Sequence, residues 1–156
     1  MSNLPKIVKK NLQDILKDEG LLKEDVLTEV VSRQKSSGVP LHRVLHEMGL
    51  LSEIDLLRAI SRQLNLPYID SSTYRVSKDV VGLFPVSMMM EHQFTVLDKI
   101  GRVLVVAIAG PPTPEVVEKI EKGSGSLAYF FLSTVSQIEG NISKFHMSGS
   151  TESAAK

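Results

Sequence analysis

Aligned against itself with a displacement of 29 residues, the chain matches residues 11–34 to residues 40–63 over 24 ungapped columns, ten of them identical. The identical pairs are Leu12/Leu41, Leu16/Leu45, Gly20/Gly49, Leu21/Leu50, Leu22/Leu51, Glu24/Glu53, Leu27/Leu56, Ser32/Ser61, Arg33/Arg62 and Gln34/Gln63. A unit this short cannot bury an apolar stripe alone, so two copies are expected to pack on each other. Each copy reads as helix, glycine, helix. In the second, Leu41, Val44, Leu45 and Met48 recur at three and four residues and share one helical face. Gly49 follows where a helix stops in a left-handed residue, a conformation that costs any side chain with a Cβ. Ser52 and Asp55 form a weak capping box, and Leu56, Leu57, Ile60 and Leu64 supply the next stripe. Lys23 stands in the column of Ser52, so the second helix of the first copy is expected to fray more readily. Residues 35–39 read as a five-residue spacer.

Composition narrows the class. With 156 residues and 42% hydrophobic content, the chain can bury one medium core or two small ones. No apolar run approaches the roughly 20 residues of a membrane span, and the first residues lack a secretory signal, so a cytoplasmic protein without direct membrane insertion is expected. Zero cysteines fit that compartment and exclude disulfides, thiolate nucleophiles and cysteine-based zinc sites. Basic and acidic residues balance at 18 each, and at ten each up to Asp70, so neither half carries a nucleic-acid footprint.

Past Leu66 the pattern changes. Asn65, Pro67 and the segment from Asp70 to Thr73 mark a connection, and VSKDVVGLFP and PVSMMMEHQ read as short helical turns punctuated by Pro85. FTVLDKI and RVLVVAIAG, separated by little more than Gly101, imply a β-hairpin whose second strand, without polar alternation, lies centrally in the sheet. TPEVVEKIEK follows as an amphipathic helix with Pro114 in its first turn, LAYFFLST as a third strand, and VSQIEGNISKF as a closing helix interrupted by Gly140. The expected class is therefore α+β: a helical front half of two tandem helix-turn-helix repeats, residues 1–66, followed by a small ββαβα sandwich, residues 67–146. Residues 147–156 are expected to form a disordered tail.

Motifs for chemistry fail on context. GSGSLA, residues 123–128, satisfies G-x-G-x-x-A, but a helix precedes it and a strand follows. That is the reverse of what a pyrophosphate at a helix N-terminus needs. No P-loop or nucleophile elbow occurs. His42 and His46 have a chelating spacing without a third ligand in reach or a zincin glutamate, and surface histidines account for them. Met88, Met89 and Met90 read as core packing, with at least one buried and one exposed, ahead of an adaptable docking patch. No catalytic residue, metal ligand or cofactor is assigned, and the chain is read as a non-enzyme.

The tandem units, then QLNLPYID, then LFPVSMMMEHQFTVLDKIGRVLVVAIAGPP, resemble the amino-terminal, MshEN-like domain of type II secretion and type IV pilus assembly ATPases over about residues 11–145. The resemblance implies a docking or regulatory module whose partner is the cytoplasmic domain of an inner-membrane platform protein or a motor component, and peripheral placement at that membrane through the partner. It also implies a possible ligand, cyclic di-GMP, one repeat holding each half. Carried over by position, that site comprises Leu12, Leu16, Gly20, Gln34, Leu41, Leu45, Gly49 and Gln63. The family motif opens Arg-Leu-Gly, whereas Asn11 and Pro40 occupy the arginine column and Gln13 and His42 the first glycine column. A charge-assisted hydrogen bond contributes about 1.5–3 kcal/mol, so losing two lowers affinity by a factor of at least about a hundred. Arg33, Arg43 and Arg62 are the cations that remain to compensate from other columns.

Overall fold

The computed structural model describes residues 12–39 and 41–147, apart from the side chains of Leu12 and His42. The repeats form four helices, α1 (Leu12–Glu19), α2 (Glu24–Ser37), α3 (Leu41–Met48) and α4 (Glu53–Leu64). Both glycine stops are left-handed, at φ 63° for Gly20 and 65° for Gly49. The stops share one hydrogen-bond pattern. Gly20 N–H donates to Lys17 O at 3.2 Å and Leu21 N–H to Leu16 O at 3.2 Å, and the same pair recurs as Gly49 to His46 at 3.2 Å and Leu50 to Leu45 at 3.3 Å. The columns Ile15/Val44, Leu16/Leu45, Leu27/Leu56 and Val30/Ala59 are buried in both copies. At about 1.5–3 kcal/mol for each large aliphatic side chain, this shared stripe is what holds the hairpins together.

Two local expectations need correction. The spacer is mostly helix: α2 continues through Ser37, because nothing before Gly38, left-handed at φ 76°, favours a stop. The capping box at Ser52 is half a box. Ser52 Oγ accepts from Asp55 N–H at 3.1 Å, but no reciprocal bond forms, since an aspartate is one methylene shorter than the glutamate that normally reaches back.

Beyond α4, whose cap is the left-handed Asn65, two 3₁₀ turns (Ser71–Thr73 and Lys78–Val80) lead to α5 (Val86–His92). Then come β1 (Phe94–Ile100), β2 (Val103–Ile108), α6 (Pro114–Ser124), β3 (Leu127–Leu132) and α7 (Val135–Asn141), which runs on into a π-helical turn (Ile142–Met147). The sheet order is β1-β2-β3, antiparallel then parallel, with β2 central as its unbroken apolar run implied. Pro114 opens α6, and Gly125 ends it in left-handed conformation two residues before β3. GSGSLA is therefore a helix end and a strand start.

The closing helix is not interrupted at Gly140. Its geometry changes after Asn141, whose amide nitrogen donates to Ser71 O at 2.6 Å and Tyr74 O at 3.2 Å while its oxygen accepts from Thr95 Oγ1 at 2.7 Å. A buried amide tied on three sides pins the helix there, and the following residues adjust by π hydrogen bonding. Met147 belongs to that turn, and the expected tail from residue 148 onward lies outside the described residues. In the methionine run Met89 is buried and its neighbours are half-buried against the core, so no member is fully exposed. No helix among the described residues is long and apolar enough to cross a membrane.

Candidate functional site

The columns carried over from the resemblance divide by burial. Leu16 and Leu45 are fully buried in the helical core, and Leu41 is packed against its edge. Gly20 and Gly49 lie at the exposed helix stops, with open space where a Cβ would stand. Their requirement for glycine is therefore conformational rather than steric. Asn11 and Pro40 fall outside the described residues, as do the side chains of Leu12 and His42, so no geometry is assigned to the arginine columns or to the second repeat's first glycine column. Gln13 is exposed at the start of α1.

The closing glutamines differ. Gln34 is half-buried on α2, whereas Gln63 Nε2 donates to Glu19 Oε2 at 2.7 Å. Arg62 joins the same carboxylate, donating from Nε at 3.1 Å and from Nη2 at 2.5 Å to Oε1. The Arg62 hydrogen bond first, and the Gln63 hydrogen bond next, hold the Glu19 carboxyl below its usual range. This clamp ties the end of α1 to the end of α4, one repeat to the other. Neither Arg62 nor Gln63 was expected to face an acid. The signal lay in Glu19 immediately before the first glycine stop.

The other cations are dispersed. Arg33 is exposed on α2, while Arg43 donates to Met90 O at 3.2 Å and lies 3.6 Å from Glu47. Arg43 and Arg62 are engaged by different partners. His46 Nδ1 sits 3.9 Å from Glu53, and among the described residues no group of three or more metal-ligating side chains assembles.

Concavities lined by described residues mark the helical half. A groove of about 420 Å³ along α4 is lined by Ile54, Leu57, Arg58, Ser61, Arg62 and Tyr68. Its walls include two exposed large apolar side chains, Ile54 (42% exposed) and Tyr68 (48%). A second groove, about 460 Å³, runs along α2 past Lys17, Leu22, Glu24 and Leu27. The third is a residual pocket of about 10 Å³ where the start of α7 sits on α4, against His46, Leu51, Glu53 and Leu56. There Glu53 accepts from Ser136 N–H at 2.8 Å and Ser136 Oγ at 2.9 Å. Tyr68 is fixed by its hydroxyl, which accepts from Gln137 Nε2 at 2.7 Å. Periodicity did not find Tyr68, since it lies past the last helix of the repeat in a segment bridged to the end of β3.

Against known proteins, the chain matches two curated type IV pilus assembly ATPases named PilB. The Thermus thermophilus protein is 29% identical over 118 residues, 74% of this chain and 13% of that ATPase. The Myxococcus xanthus protein is 25% identical over 100 residues, 64% of this chain and 18% of that ATPase. The chain thus spans less than a fifth of the length of either. Among solved structures, MshE with cdg, cyclic di-GMP, is 28% identical with a TM-score of 0.64, covering 88% of this chain and 99% of that one. An N-terminal domain of XpsE, 19% identical, superposes with a TM-score of 0.70 over 90% of this chain and 96% of its own, and shows the shared fold alone. What is matched in MshE and XpsE is an N-terminal domain of a secretion ATPase and not the ATPase catalytic domain. The MshEN domain family itself matches residues 64–152, more than half the chain, so the α/β half carries the family signature independently of the tandem repeats that precede it, and this chain belongs to the MshEN domain family.

Proposed function

We propose that this chain is a non-catalytic docking module of a type II secretion or type IV pilus machine, whose helical half, residues 1–66, receives the cytoplasmic domain of an inner-membrane platform protein or a motor component. The observation that carries this reading is the α4 groove. Exposed Ile54 and Tyr68 line it together with Arg58 and Arg62, the mixture of apolar and charged side chains that a protein interface uses. A pull-down with the whole chain tests it: the platform protein's cytoplasmic domain is recovered, and Ile54→Glu together with Tyr68→Ala abolishes recovery while leaving the circular dichroism unchanged. Unchanged recovery by the double variant rejects the α4 groove.

A second reading is supported by MshE, a structural neighbour solved with cyclic di-GMP: the dinucleotide binds across the two repeats here too. Against it stand the residue types at Asn11, Gln13, Pro40 and His42, and the engagement of Arg62 and Gln63 by Glu19. Isothermal titration at near-physiological salt separates the two. The docking reading expects no heat at several hundred micromolar ligand, and a gain of affinity on Pro40→Arg with His42→Gly. Saturable heat with the unaltered chain would favour the second.

A further inference from the structure

Among the described residues, the duplication places one docking surface twice and fills it once. In the second repeat, His46, Leu51, Glu53, Leu56 and Leu57 receive the start of α7, and the space left between them is about 10 Å³. Each of these residues has a counterpart 29 positions earlier: Lys17, Leu22, Glu24, Leu27 and Thr28. Those five line the open α2 groove of about 460 Å³. Three of the five columns are identical, and they are the ones that matter for recognition: two leucines as the apolar floor and a glutamate at its edge. Leu22 is half-buried and Leu27 is 6% exposed, as Leu56 also is, so the floor is preformed in both copies.

The second repeat shows what such a surface accepts. Thr134 caps α7, Val135 is buried against the floor, and Ser136 gives its N–H and hydroxyl to the Glu53 carboxylate. A carboxylate suits that place because the first N–H groups of a helix have no intrahelical acceptor and carry the positive end of its dipole. We infer that the α2 groove of the first repeat binds the N-terminus of a helix from a partner protein, one with a hydroxyl cap, a small apolar residue next and a free N–H for Glu24. The inference rests on the docking reading and adds a second contact surface to it. The two changed columns tune the choice of partner. Lys17 in place of His46 favours an acidic residue near the partner's cap, and Thr28 in place of Leu57 makes the floor shallower and more polar.

The probe is a synthetic peptide of residues 133–144 of this chain, stapled between positions 139 and 143, titrated into the isotope-labelled full chain and followed by amide chemical shifts. The expected result is saturable shifts at Leu22, Glu24, Leu27 and Val31, weakened about tenfold by Glu24→Ala, as loss of a charge-assisted hydrogen bond requires. A peptide carrying Ser136→Pro, which keeps the helix start but removes the N–H, should weaken to a similar degree. The inference is overturned by no shift at 2 mM peptide, roughly the weak limit for a short interface; by shifts confined to residues 46–57, which would mean exchange with the chain's own α7; or by shifts indifferent to Glu24→Ala. Concentration-dependent shifts without peptide would assign the groove to a second copy and also overturn it. Because the pull-down reads the α4 groove, a silent titration beside a positive pull-down removes this inference alone.

Discussion

Glu24 and Glu53 occupy one column of the repeat but meet different surroundings, and that difference sets a measurable asymmetry. Glu53→Ala removes the acceptor of two hydrogen bonds from Ser136 and the negative charge at the start of α7. A hydrogen bond to a charged group contributes about 1.5–3 kcal/mol and a charge at a helix end about 0.3–1 kcal/mol. The Glu53 side chain is 27% exposed, however, and Ser136 is exposed enough for water to take over its donors. A net loss of about 1–2 kcal/mol is therefore expected, which lowers the melting temperature of a chain this size by roughly 3–6 °C. Glu24 faces the open groove and makes no side-chain bond to the other described residues, so Glu24→Ala should stay within about 0.5 kcal/mol. Urea melts of the two variants, checked for an unchanged m-value, decide it. Equal losses, or a loss below about 0.5 kcal/mol for Glu53→Ala, would refute the claim that the second repeat's surface is filled by α7 while the first repeat's stands open.

Three further outcomes follow from local geometry. Gly20→Ala and Gly49→Ala should each cost about 1–2 kcal/mol, the penalty of a Cβ in a left-handed residue, with no added clash because no atom beyond the chain neighbours lies within 4 Å of where the Cβ would stand; unfolding of the single and double variants reads both the cost and its additivity. Gly123→Ala should destabilise although it sits in a helix, since its Cβ would come within 2.7 Å of Phe84 Cε1, on a ring set edge-on to Phe94 at 5.8 Å; about 1–2 kcal/mol is expected by urea melt, whereas a gain would show that Phe84 moves aside freely. His146 is buried, and desolvation lowers its pKa from the ordinary 6.5 despite the bond to Val96 O. Below pH 6.5 the unfolded chain takes up a proton that the folded chain refuses, so this contribution is complete above that value and is lost as pH falls toward the lower folded pKa. His146→Leu should flatten the fall in stability below pH 6.5, and an unchanged slope would place its titration in both states equally.

Much of this fold is legible in the sequence because its signals are local. A glycine between two helical stripes has one cheap conformation, and both repeats adopt it. An apolar run without alternation reads as a central strand, and β2 is central, although Val103 and Val105 on one of its faces are only half-buried. Two misreadings, the spacer and the capping box at Ser52, are local; the others involve contacts between distant segments. Gly140 has the composition of a helix break, but Asn141, held by Ser71, Tyr74 and Thr95, decides where the geometry changes. The candidate site divides in the same way. Glycine and leucine columns could be aligned by eye, whereas the clamp of Arg62 and Gln63 on Glu19 and the seating of Ser136 on Glu53 join residues 43, 44 and 83 positions apart. The identity of Glu24 with Glu53 was visible from the start, but its meaning depended on which neighbour arrived at each.

The docking account is tested most directly by amide hydrogen exchange of the whole chain, alone and with the cytoplasmic domain of the platform protein. Added protection over α2 and α4, including the groove around Ile54, is the predicted footprint. Protection confined to the β1-β2-β3 sheet, with both helices exchanging as in the free chain, would contradict it.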